Sequence, residues 1–179
     1  MSFQVTSTEI AGVRLLTPKF FEDDRGRFRR TFCAQTLADA GVDFQVKQSN
    51  LSENRHAYTL RGFHWQDSDE TKLLSCVTGE IHDIVVDLRP ASTTMGKFLS
   101  FRLSGKNGLG LIVPPGCANA WMTLQPNTAI QYWHTDIYRP AVEHGLRYDD
   151  PAFAFPWPAE PQVISAKDRS YPDYNSILA

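Results

Sequence analysis

The run Arg61-Gly62-Phe63-His64-Trp65-Gln66 places groups able to move a proton and to hold a polar substrate within six consecutive residues. Read as a strand, it puts His64 and Gln66 on one face, and Gly62 leaves open a space that a larger side chain would block. An imidazole of unperturbed pKa roughly 6.5 is suited to take a proton near neutral pH, so His64 is the candidate base. His56, His82, His134 and His144 form no H-x-H or H-x-x-x-H pair with it or with one another. A metal centre would then need ligands scattered along the chain, and no bound metal is expected. The isolated His56, His134 and His144 read as surface or packing residues. His82, beside Asp83 on an alternating run, stays open between packing and function.

These groups must be positioned by short strands. Gly41, Gly79, Ser104 to Gly108, Pro114-Pro115-Gly116 and Gln125-Pro126-Asn127 punctuate the chain with turn chemistry. Between them lie strand-length runs rich in Val, Ile, Leu, Phe and Thr: Leu73 to Thr78, Ile81 to Leu88, Phe98 to Leu103, Leu109 to Val113, Ala118 to Leu124 and Thr128 to Thr135. Ile81 to Leu88 alternates with one partly polar face, the pattern of a barrel with a functional lumen. Ala34 to Ala40 is the one helix expected, capped by Gly41. From Arg139 the chain turns to Pro and aromatics, too aromatic for a disordered linker, and is expected to pack back onto the barrel.

With 179 residues and a net charge of −2, the chain is the size of one domain, 1–179, and lacks a global field for nucleic acid or an anionic membrane. An anionic ligand must be caught by local arginines. Cys33, Cys76 and Cys117 are odd in number and contain no C-x-x-C pair, which argues against a disulfide framework or structural zinc and for a reducing cytosol. Met1 to Val13 lacks the basic start and apolar stretch of an export signal, and no apolar run is long enough for a membrane helix. A cytoplasmic protein with neither nucleic-acid nor membrane partners is the expectation.

Arg-Gly-Phe-His-Trp-Gln resembles the R-G-x-H-[YF]-Q block of the dTDP-4-dehydrorhamnose 3,5-epimerases. The resemblance runs from about Phe20 to Asp168 through ordered blocks. Phe21 to Phe28 is similar to F-x-D-x-R-G-x-F, and Gln48 to Ser52 to Q-x-N-x-S. Lys72-Leu73-Leu74, with Gly79 to Asp83 and Asp87-Leu88-Arg89, is similar to K-L-V … G-x-I-x-D … D-x-R. Pro114-Pro115-Gly116, Tyr132 to Tyr138, Glu143, Asp149-Asp150-Pro151, Trp157-Pro158 and Ser165 to Asp168 complete the series. The family implies an all-β, cupin-type jelly-roll barrel with short peripheral helices, a homodimer, and no cofactor or metal. Its chemistry is epimerisation of a nucleotide-linked 4-keto-6-deoxysugar at C3, C5 or both.

Inverting a carbon beside a ketone requires removal of a proton, stabilisation of the enolate and return of a proton to the opposite face. By the matched positions His64 is the base, Asp168 the carboxylate that fixes its tautomer, Lys72 the holder of the oxyanion and Tyr132 the proton donor. Taken singly, Lys72 reads as an edge-strand charge, Tyr132 as a core aromatic and Asp168 as a turn residue. Arg25 and Arg61 resemble the pyrophosphate contacts, with Gln48 and Asn50 adding neutral hydrogen bonds. Arg30, Asn119, Tyr138 and Glu143 complete the substrate-binding set.

The chain departs from the family pattern at four places. Arg30 stands where a base-contacting glutamate is common. The His64 to Lys72 loop is two residues shorter than usual, and Trp65 replaces Tyr or Phe. Gly116 to Trp121 replaces G-[FY]-A-H-G-F, exchanging a histidine for Asn119 and adding an indole. The departures spare the acid and base and touch recognition, which implies retained proton chemistry on an altered substrate. The alternatives are a single-position epimerase on a different nucleotide-sugar and a non-catalytic nucleotide-sugar-binding barrel.

Overall fold

A computed structural model describes residues 3–174. Strands β1 (Phe3–Ser7), β2 (Arg14–Pro18), β3 (Phe20–Asp23) and β4 (Gly26–Arg29) precede helix α1 (Ala34–Asp39). The central strands are β5 (Gln48–Asn54), β6 (Leu60–Gln66), β7 (Lys72–Thr78), β8 (Glu80–Asp87), β9 (Phe98–Ser104), β10 (Gly110–Val113), β11 (Cys117–Thr123) and β12 (Thr128–His134). β13 (Glu143–Gly145) and α2 (Ala166–Arg169) follow. The six runs expected from turn spacing are β7 to β12, each displaced by no more than one residue at either end. The N-terminal strands and β13 carry no comparable signal, being short and largely exposed or polar. α1 ends with Ala40 as its cap and Gly41 beyond at φ +74°, the left-handed step glycine makes without strain.

Two antiparallel sheets pack face to face as a jelly-roll barrel. One has the order β1-β2-β10-β7-β12-β5 and the other β13-β6-β11-β8-β9, while β3 and β4 pair only with each other. Between the sheets, Leu74, Leu111 and Ile130 from the first meet Ile81, Val85, Leu103 and Trp121 from the second. Strand alternation sends the intervening residues outward. Leu73 and Ile112 thus join Leu37 of α1 and Phe44 outside the first sheet. Phe63, Ile84, Val86, Ala118 and Ala120 form the outer face of the second.

That outer face is covered by the C-terminal segment. Phe155 lies 4.5 Å and Trp157 5.9 Å from Phe63 between ring centroids, and Phe153 and Tyr174 pack beside them. β13 adds an edge strand to β6, pairing Gly145 with His64. Strands covered on both faces read as apolar runs, whereas those crossing the polar end of the interior read as mixed. His82 points outward under Trp157, at 6.0 Å edge to face, so packing is its role.

Candidate active site

The core fills one end of the barrel, and the other end is a cavity of about 590 Å³. Its wall from the second sheet includes Arg61, His64, Gln66, Asn119 and Trp121, and its wall from the first includes Gln48, Asn50, Lys72, Tyr132 and His134. The same alternation that buries Phe63, Ala118, Ala120 and Leu73 delivers these polar side chains to the interior. Gly62, at φ +110°, lets β6 and β11 approach: a Cβ there would lie 2.5 Å from the Asn119 carbonyl oxygen.

His64 Nε2 is 2.7 Å from Asp168 Oδ1. The carboxylate arrives on α2, whose N-cap Ser165 accepts from the Asp168 amide at 3.0 Å, and the Gly62 amide donates to Asp168 Oδ2 at 3.4 Å. Burial alone would raise the Asp168 pKa. The bond and charge of His64, with the Gly62 and Ser165 contacts, bring it below the ordinary carboxylate value. An ionised Asp168 fixes the proton on Nε2 and leaves Nδ1 as the basic nitrogen.

Across the interior, Lys72 Nζ donates to the His64 carbonyl at 3.0 Å and lies 3.7 Å from Glu70 Oε2. Desolvation lowers the pKa of this ammonium, and Glu70 leads the charges opposing that shift. One of its three donors is thus directed at the carbonyl, and the ion pair with Glu70 leaves others for a substrate oxygen. The Tyr132 hydroxyl accepts from Trp121 Nε1. Burial pushes the phenol upward, so it stays protonated at neutral pH as a donor must.

A family model described as dTDP-4-dehydrorhamnose 3,5-epimerase matches residues 7–176. The chain belongs to that family. It is 39% identical over 175 residues to the dTDP-4-dehydrorhamnose 3,5-epimerase of Sinorhizobium fredii, covering 96% of this chain and 89% of the relative. The crystal structure of the Bacillus anthracis dTDP-4-dehydrorhamnose 3,5-epimerase, with TDP and PPi bound, superposes with a TM-score of 0.92 at 35% identity, covering 96% of this chain and 99% of that one. A 3′-monoepimerase from Streptomyces bikiniensis in complex with dTDP-quinovose has a TM-score of 0.88 at 28% identity, with 93% and 85% covered. The fold is the cupin-type jelly roll expected from the resemblance.

Of the residues the epimerase pattern singled out, the cavity gathers His64, Lys72, Tyr132, Asp168, Arg61, Gln48, Asn50, Asn119, Tyr138 and Glu143. Arg61 Nε donates to Asn54 at 3.1 Å, and Tyr138 donates its hydroxyl to Glu143 at 3.0 Å and its amide to Gln48 at 3.0 Å. Glu143 also pairs with Lys167. Arg25 and Arg30 are not brought to the cavity of their own chain. Arg25 is exposed at the turn of the β3–β4 hairpin and holds Asp23 through Nε at 3.1 Å, while Arg30 is exposed and approaches the Cys33 sulfur at 4.0 Å. The hairpin, which Arg30 directly follows, pairs with neither barrel sheet.

The epimerase pattern also left out Glu70 and His134. His134 was expected to be a surface or packing residue, but it lines the cavity with Nδ1 2.9 Å from Glu70 Oε1 and Nε2 3.4 Å from Asn50 Nδ2. Glu70 is buried and serves both His134 and Lys72. Glu70 and His134 are 64 positions apart and meet through the β12–β7 register that pairs His134 with Lys72. Alternation with Tyr132 on β12 was the available signal for His134. Asn119, opposite His64 in the β11–β6 register, donates to both oxygens of the buried Asp83 at 2.9 and 3.0 Å.

Proposed function

We propose that the protein epimerises a nucleoside-diphosphate 4-keto-6-deoxysugar at C3, C5 or both, by proton abstraction and return. The observation carrying this reading is the His64–Asp168 pair at 2.7 Å on one wall of a cavity whose other wall presents Lys72 and Tyr132. His64 Nδ1 takes the proton beside the ketone, and Asp168 stabilises the imidazolium formed. Lys72 bears the enolate charge on the C4 oxygen. Tyr132, coming from the opposite sheet, returns a proton to the other face. Arg61, Gln48 and Asn50 serve the diphosphate, with Tyr138 and Glu143 as further substrate contacts.

The reaction as written needs no electron carrier, and we propose that it runs without metal or cofactor. Among the described residues no group of three His, Cys, Asp or Glu side chains is placed to hold a metal ion. Full activity after dialysis against EDTA is the expected result. We propose a homodimer in which the hairpin bearing Arg25, with Arg30 just beyond it, serves a second copy's cavity. Phe21 and Phe28 on that hairpin are 51% and 65% exposed, an apolar pair in search of cover. Light scattering at twice the chain mass checks it. The three free cysteines suit a cytoplasmic location, and no helix among the described residues is long and apolar enough to cross a membrane.

The deciding experiment incubates dTDP-, CDP- and GDP-4-keto-6-deoxysugars with the protein in D2O and follows the C3 and C5 proton signals by NMR. Loss of both is expected from one of them. No exchange with any overturns the enzymatic reading in favour of a binding barrel. Exchange that stops at one carbon identifies a single-position epimerase, the activity named for the Streptomyces bikiniensis structural relative.

A further inference from the structure

Trp121 is one of the chain's departures from its family, and its indole does something the usual phenyl ring could not. It is 2% exposed on β11 of one sheet, and its Nε1–H crosses the barrel interior to the hydroxyl oxygen of Tyr132 on β12 of the other. Indole is a donor only, so the direction of this bond is not ambiguous. Trp121 is itself fixed on both sides, paired with Arg61 on β6 and with Asp83 on β8.

We infer that Trp121 is a positioning residue for proton return: its N–H fills an acceptor site of the Tyr132 oxygen, aims the phenolic proton into the cavity and stabilises the phenolate left behind. The inference rests on the proposed epimerisation. In the step concerned, the enolate electron pair forms the new C–H bond as the Tyr132 O–H bond breaks, and the phenolate later takes a proton from water. Among the described residues no acceptor engages the Tyr132 hydroxyl proton, which is therefore available to substrate. Burial raises the cost of the phenolate, and the Trp121 bond is the largest contribution opposing it. A donor committed to the oxygen from the rear serves the charge that appears only after transfer, which is the condition for lowering a barrier.

The test compares wild type, Trp121→Phe, Tyr132→Phe and the double variant on the active keto-sugar in D2O. Trp121→Phe is expected to lower kcat about tenfold, the value of one hydrogen bond to a charged oxygen, with KM within about twofold. Its ratio of exchange to inversion rises, because abstraction by His64 continues while return falters. In the Tyr132→Phe background the same change adds nothing. An unchanged ratio, or a full additional loss in the double variant, overturns the assignment. A second arm needs no turnover: the indole N–H resonance missing from Trp121→Phe should move upfield in Tyr132→Phe, and an unmoved signal also overturns it. If the wild type exchanges no proton, the proposed function falls while the resonance arm still decides the bond.

Discussion

Asn119 stands opposite His64 across the β11–β6 pairing, yet its amide is committed to Asp83, donating to both carboxylate oxygens at 2.9 and 3.0 Å. Burial pushes the Asp83 carboxyl up to about 7, with Asn119 and then Lys72 holding it from rising further. A buried acid thus sits in the barrel interior, on the sheet that carries the base.

Asp83 makes folding stability depend on pH in a definite direction. Its folded pKa lies above the unfolded value of about 3.9, so its contribution is fully present below that value and is lost as pH rises through about 7. Between about pH 4 and 7 the slope approaches 1.4 kcal/mol per pH unit at most. Asn119→Ala removes the donor that favours the ionised form, and should therefore destabilise more at pH 8 than at pH 5. A difference of about 1–2 kcal/mol between the two, from urea melts, is expected. Equal losses at both pH values would mean the amide does not hold the carboxylate.

Asp168→Asn keeps the shape of the His64 partner and removes its charge. The amide can present either an acceptor or a donor to Nε2, so the tautomer is no longer fixed and the imidazolium loses its counter-charge. A fall in kcat of roughly 10³-fold, with KM changed by less than about fivefold, is expected from the triad analogy. Wild-type turnover in this variant would place the base elsewhere.

Gly62→Ala probes the approach of β6 to β11. The new methyl carbon would lie 2.5 Å from the Asn119 carbonyl and 2.7 Å from the Ala120 Cα, at a φ of +110° that L residues rarely adopt. Backbone atoms cannot yield as a flexible side chain can, so a loss of about 2–4 kcal/mol is expected in chemical denaturation. A loss under about 0.5 kcal/mol would show that the strands can separate without cost.

How much of this was legible in the sequence follows from what period and proximity can encode. β7 to β12 were readable because turn residues bound them and their interior faces are apolar, leaving a composition signal. β1 to β4 were not, since strands such as Phe20–Asp23 and Gly26–Arg29 are half exposed and pair only with each other. His64 and Gln66 declared themselves by local spacing, and Asp168 by resemblance alone. Glu70 was invisible: its importance lies in a partner 64 positions away. Arg25 and Arg30 were assigned by motif order, which carries no information on whether a hairpin folds toward its own barrel or away from it.

Glu70 links two side chains of the first sheet's wall, lying 2.9 Å from His134 Nδ1 and 3.7 Å from Lys72 Nζ. Its charge is the largest factor raising the Lys72 pKa against desolvation. Glu70→Gln removes that support, so the ammonium deprotonates at lower pH and the alkaline limb of the kcat/KM profile should move to lower pH. At neutral pH the loss in kcat/KM is expected to be modest, about threefold to tenfold, and to grow as pH rises. The same change unpairs His134, whose contact with Asn50 borders the substrate-binding wall, so KM should rise alongside. Rate profiles for the variant and wild type between pH 6 and 10 separate the two effects. An alkaline limb that stays in place would show that Lys72 draws its charge balance from Glu143 and Asp83 instead, the other carboxylates that raise its pKa.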